Sequence, residues 1–258
     1  MNPSVKKSAA KVAFETVVEE GALWFVWISD ATKFEAMMKS KIPWADLTAA
    51  EKVMVQQRLK APAPSVQMMV NSFYITMVAG FEEYLRGAIR ELADVISHSK
   101  PAFDKMNEKL RRTNIRETAR LLKRMDSPPD YLKFDESDLC RQLGTCVPGS
   151  AAVKLNGIAL AEMDGLLKLT SFMERFEMMG KPITWDDLGR QQAVKVALRM
   201  EAQKPRAVGG QLEIELATIA RYRNRIAHTG GHAADVTLQL ADEHRAVLSA
   251  VATAIDLA

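Results

Sequence analysis

The sequence predicts an all-α fold, and three observations carry that expectation. Apolar residues recur at intervals of three and four over several long stretches. No run of Val, Ile and Thr alternates cleanly enough to require a strand, and there is neither an internal repeat nor a low-complexity tail. Pro and Gly cluster between the periodic stretches, where helices are expected to stop. With 258 residues, 48% hydrophobic and 26% charged, the chain is long enough to bury a substantial core as one large domain or two small ones.

In order, residues 8–38 carry apolar positions at Phe14, Val17, Val18, Leu23 and Val26, which predicts one or two helices broken near Gly21. Thr48 opens another helix, with Glu51 three residues on as a capping box, and Ala61-Pro62-Ala63-Pro64 ends it. The Pro pair divides an N-terminal helical extension, residues 1–64, from a main helical bundle, residues 65–258. From Ser65 to Ile96 the set Val66, Met69, Val70, Phe73, Met77, Phe81, Tyr84, Leu85, Ile89 and Leu92 keeps helical spacing, and its Met and aromatic stripe reads as core. A basic helix follows Pro101, with Asn114 and Glu117 as its start signal and Asp126-Ser127-Pro128-Pro129-Asp130 as its end. Residues up to Ser150 read as a long loop with a short helix. Leu155 to Phe176 reads as one long helix stopped at Gly180 and Pro182. Thr184 or Asp186 caps a further helix running to Met200. Pro205, Gly209 and Gly210 lead into a helix from Leu212 through Ile226, and Leu238 to Ile255 closes the series.

Composition removes several classes. The net charge of +3 permits a polyanionic partner without requiring one. Cys140 and Cys146 are separated by five residues, a spacing that fits no common zinc or redox motif, and they read as reduced thiols of a cytoplasmic protein. Lys11, Glu15, Glu19 and Glu20 interrupt any signal-peptide core, and the densest apolar run, Ala22 to Ile28, is far too short to cross a bilayer. There is no Gly-rich phosphate loop, HExxH, GxSxG or metal-ligand cluster, so neither metal nor cofactor is expected.

The chemistry concentrates in Arg221-Tyr222-Arg223-Asn224-Arg225-Ile226-Ala227-His228, closed by Thr229, Gly230 and Gly231. The two glycines are a C-terminal stop, which puts His228 in the last turn of its helix. Arg223 and His228 differ by roughly 140° in direction, yet a long Arg and a His at an unwinding end can reach one cleft. Such a pair suits RNA cleavage, in which the 2′-hydroxyl is a nucleophile already inside the substrate. An imidazole can take its proton near neutral pH, and a guanidinium can hold the charge growing on the phosphorus oxygens. The same residues also suit plain carbonyl capping and favourable helix-dipole placement. Elsewhere, Arg112, Arg116, Arg120 and Arg124 recur every four residues and cover one broad face, either a phosphate-following surface or a solvated one. His244, beside Arg245, reads as a surface residue, and His98 as a helix end.

Arg223-Asn224-Arg225-Ile226-Ala227-His228 resembles the signature of the HEPN superfamily, an Arg, a polar residue and a His after four to six intervening positions. Arg221 also falls within that spacing but has Tyr222 in the polar position. Phe81-Glu82-Glu83-Tyr84-Leu85 resembles the Phe-Glu-x-x-Leu helix of one bacterial branch, the RiboL-PSP type, in which an acidic residue lies near the cleft. The resemblance implies a HEPN-like bundle with Arg223, His228 and Asn224 catalytic, and Glu82 and Arg221 supporting them; His232, in the loop just past His228, is a minor catalytic alternative by its place in the sequence. RNA would be held by Arg112, Arg116, Arg120, Arg124 and Arg225. It also implies a metal-independent endoribonuclease, a toxin or anti-phage effector acting as a homodimer with an antitoxin or silencing partner. A non-catalytic module binding RNA, nucleotide or a protein is the alternative it allows.

Overall fold

The structure, a computed structural model, describes residues 8–41, 48–53, 66–125, 136–163, 167, 169–229 and 236–256. Among them there is no strand. The helices are α1 (Ala9–Lys41), α2 (Val66–His98), α3 (Glu108–Leu122), α4 (Glu136–Gly144), α5 (Gly157–Ala161), α6 (Thr170–Met178), α7 (Trp185–Arg190), α8 (Gln192–Ala197), α9 (Pro205–His228) and α10 (Leu238–Asp256). A 3-10 turn, Phe103–Lys105, precedes α3. Residues 49–53 are also helical, and Thr48 and Glu51 make the reciprocal bonds of the capping box expected there. None of the described helices is long and apolar enough to cross a membrane.

The organising element is α2. Tyr74, Met77, Val78, Phe81, Leu85 and Ile89 are fully enclosed because α1, α5, α6, α9 and α10 all pack around it. Burying a side chain of this size contributes roughly 1.5–3 kcal/mol, so this one helix carries a large share of the hydrophobic stabilisation. Phe14 of α1 meets Phe81 edge to face at 5.5 Å, and Phe14 and Val18 lie in the same core cluster as α2. Residues assigned by sequence to an extension therefore share the core of the bundle. The Pro62 and Pro64 boundary lies outside the described residues, as do the Asp126–Asp130 break, His232, Gly230 and Gly231.

Four expectations are corrected. Gly21 does not break α1, which runs unbroken through it. A Cβ there would fall 2.0 Å from the Phe73 ring, so the glycine serves close packing of α1 on α2. Asn114 does not start a helix, since Asn107 caps α3. Asn114 is instead buried in mid-helix, its amide meeting Cys146 Sγ and its carbonyl oxygen accepting from the Asn156 N–H. The long helix expected over residues 155–176 is two, α5 and α6, with Leu169 between them in the left-handed region at φ 52°. Likewise the helix opened by Thr184, which does form a capping box with Asp187, is divided by extended Gln191 into α7 and α8.

Candidate functional site

The motif helix α9 is longer than its apolar spacing predicts, because Gly209 and Gly210 lie inside it and Pro205 occupies its first turn, where a missing N–H costs nothing. Gly209 is needed there: a Cβ would sit 2.5 Å from the carbonyl oxygen of Trp185 on α7. Val208, Leu212, Leu216, Ile219 and Ile226 form the buried stripe. His228 is the last helical residue and lies about 200° round from Ile226, which accounts for its exposure. The helix-end carbonyl of Arg225 accepts from the Thr229 hydroxyl at 2.9 Å. The His228 ring takes no hydrogen bond or ion pair among the described residues, so it is not spent on capping.

Arg223 lies on the flank of the buried stripe, about 60° from Ile226 and about 7.5 Å along the axis from His228. Its guanidinium reaches Glu82 of α2 at 3.7 Å and donates to the Asn224 side-chain oxygen at 3.0 Å. The fold thus brings Glu82, Arg223 and Asn224 together, with His228 one and a half turns on. Arg221 is turned away to the Thr218 hydroxyl, and Arg225 is exposed.

The inner side of α9 holds a residue that sequence reasoning misplaced. His244 is 1% exposed, not a surface group. Its Nδ1 is 2.7 Å from the Tyr74 hydroxyl and its Nε2 3.0 Å from a Glu215 carboxylate oxygen, off the ideal hydrogen-bond line, with the Tyr222 ring alongside. The His244 imidazole, 3.0 Å away, holds the Glu215 carboxyl below the usual range, outweighing the opposing effect of burial. Burial, followed by the charge of Glu215, pushes the Tyr74 phenol far up. The signal for this cluster is the position of His244 among Ala241, Val247, Leu248 and Val251, the buried stripe of α10.

Away from these residues a concavity of about 1130 Å3 opens between α2, α3, the end of α5 and α6. Eight cationic side chains line it against four carboxylates. Arg116, Arg120 and Arg124 of the expected arginine face are among them. Arg112 is not, and pairs with Glu108 at 2.6 Å instead. At the base, Glu117 accepts from Arg116 and Arg120, and Arg175 of α6 lies 3.5 Å away. Burial pushes the Glu117 carboxyl up, but those hydrogen bonds and the charge of Arg175 outweigh it, and it titrates below the usual range. Arg86, Arg90 and Arg175 join this wall only through tertiary packing, so no spacing in the sequence announces them.

Cys140 is exposed and Cys146 buried, both as free thiols. Among the described residues no three His, Cys, Asp or Glu side chains are placed to hold a metal ion. No protein-family model, no curated protein and no solved structure matches this chain.

Proposed function

We propose that the chain is a metal-independent endoribonuclease of HEPN type. The observation that supports this reading best is the motif corner, where the Arg223 guanidinium donates to Asn224 and lies 3.7 Å from a Glu82 carboxylate oxygen, with an imidazole five residues on, His228, that is exposed and has no partner among the described residues. In the reaction, His228 removes the 2′-hydroxyl proton, the 2′-oxygen forms a bond to phosphorus, and the bond to the 5′-oxygen breaks. Arg223 neutralises the charge on the non-bridging oxygens. The products are a 2′,3′-cyclic phosphate and a 5′-hydroxyl. The leaving oxygen needs a proton, and one strong Arg and His motif per chain supplies only one base. A symmetric homodimer would provide the second copy at no cost in sequence. On this reading the protein is a cytoplasmic growth-arresting effector, held silent by an antitoxin or similar partner.

The test is cleavage of a single-stranded RNA in EDTA by the intact chain and by His228→Ala and Arg223→Ala. Cyclic-phosphate products that vanish in both variants, and no cutting of an all-2′-deoxy strand, are expected. Specific activity should fall on dilution as the dimer dissociates. Full cleavage by His228→Ala sinks the assignment. A second reading, a module that binds a ligand without cutting, is favoured by the separate basic cleft and gains if wild-type protein leaves RNA intact.

A further inference from the structure

The basic cleft shares no lining residue with the motif corner. Glu82 and Glu83 are neighbours in sequence but point about 100° apart on α2, so Glu82 meets Arg223 while Glu83 faces the cleft. The positive wall is built rather than scattered. Glu117, 4% exposed, holds three guanidiniums at once, and the two nearest solvent, Arg116 and Arg120, are thereby fixed with most of their surface open. One carboxylate orienting three cations leaves that group two charges in excess. Across the cleft Glu83 does the same for Arg86 and Arg90, at 3.6 and 2.6 Å. Lys109 and Lys123 add two more charges and take no carboxylate among the described residues. A concavity lined mainly by one sign of charge focuses its field on an incoming counter-ion.

We infer that this cleft binds a compact polyphosphate anion, either free or as the phosphate tail of a nucleotide. Guanidiniums held in fixed forks match phosphate oxygens in bidentate fashion, and the lysines complement them as point charges. The volume holds a small, multiply charged ligand with bridging water. A single RNA strand is the disfavoured occupant. No aromatic side chain lines the cleft to stack a base, and four carboxylates interrupt the path of a backbone. The inference does not depend on the nuclease reading.

The experiment is calorimetric titration of the intact chain with inorganic tripolyphosphate, with ATP and with a single-stranded RNA decamer. Tripolyphosphate binding is expected to weaken by about tenfold or more in the double variant Arg116→Gln with Arg120→Gln, since each arginine gives charged hydrogen bonds. Lys123→Gln, which breaks no ion pair in the described structure, should weaken it to a smaller extent and serves if the double variant fails to fold. Arg112→Gln, on the same helix but outside the cleft, should leave it unchanged. So should His228→Ala, which keeps this test separate from that of RNA cleavage. ATP binding as tightly as tripolyphosphate identifies the phosphate chain as the whole ligand, and ATP binding more tightly identifies a nucleotide. The inference is overturned if neither anion binds, if Arg112→Gln weakens binding as much as the double variant, or if the decamer occupies the cleft and tripolyphosphate does not.

Discussion

His228 and His244 are sixteen positions apart and face opposite sides of the same packing problem. His228 ends α9 on its outer face, exposed and with no side-chain partner among the described residues. His244 sits on the inner face of α10 with both ring nitrogens facing partners, Tyr74 and Glu215. The difference separates an imidazole open to solvent from one whose nitrogens face groups on α2 and α9 and so join those helices to α10. A charged neighbour says little about which kind a histidine is. Arg245 adjoins the buried ring, and its own charge goes to Asp242 at 2.8 Å.

Substitution should split the pair most clearly. His244→Ala removes a buried ring and strands the Tyr74 hydroxyl and the Glu215 carboxylate, so a loss of about 3 kcal/mol is expected in urea unfolding. His228→Ala should cost less than about 0.5 kcal/mol in the same measurement, as an exposed substitution away from the core. Equal losses from both would erase the distinction and count against a catalytic His228.

The periodic backbone of this contrast was legible in the chain. The span of α2, the end of α9 at His228 and the capping box of Thr48 with Glu51 follow from apolar spacing and local hydrogen-bonding side chains. What was not legible depends on other helices. Gly21 reads as a break because glycine weakens isolated helices, whereas here it admits the Phe73 ring. The apolar spacing from Leu155 to Phe176 continues across a helix break in which Leu169 takes a left-handed conformation that no spacing rule anticipates. Arg223 stands out by its charge and its place before His228, and Glu82 by a resemblance, but their approach to 3.7 Å is set by how α9 packs on α2. The arginine period on α3 was visible. The buried carboxylate that gathers it was read instead as part of a helix start.

Glu117 extends the comparison to the cleft. Glu117→Gln leaves Arg175 buried with a weaker partner, and a loss of about 2 kcal/mol is expected, at the low side for a broken buried pair because Arg116 and Arg120 still reach solvent. A loss below that of an ordinary surface change, seen in thermal melts, would show that the cations need no anchor. Acid should act through the same groups. Glu215 and Glu117 both titrate below the unfolded carboxylate range, so their stabilisation is complete above that range and is lost as pH falls through their lowered folded values. His244→Phe should flatten this acid limb by removing the Glu215 share. An unchanged pH profile of unfolding would mean that the pair is not coupled. Glu82→Gln should cost at most about 1 kcal/mol of stability, since Arg223 is partly exposed, and its effect should be read in cleavage instead.

The clasp between the ends of the described bundle sets the order in which the molecule can fold. Ser8 donates to Asp256 at 3.0 Å across 248 positions, Lys11 to Thr253 at 2.7 Å across 242, and Tyr84 to the Ala252 carbonyl across 168. Helical proteins usually fold fast because most of their contacts are local. Here α1 and α2 leave the ribosome long before α10 exists, and until then Tyr84 has no acceptor and the Tyr74 hydroxyl no imidazole. During synthesis the central helix is thus an apolar surface awaiting its last neighbour.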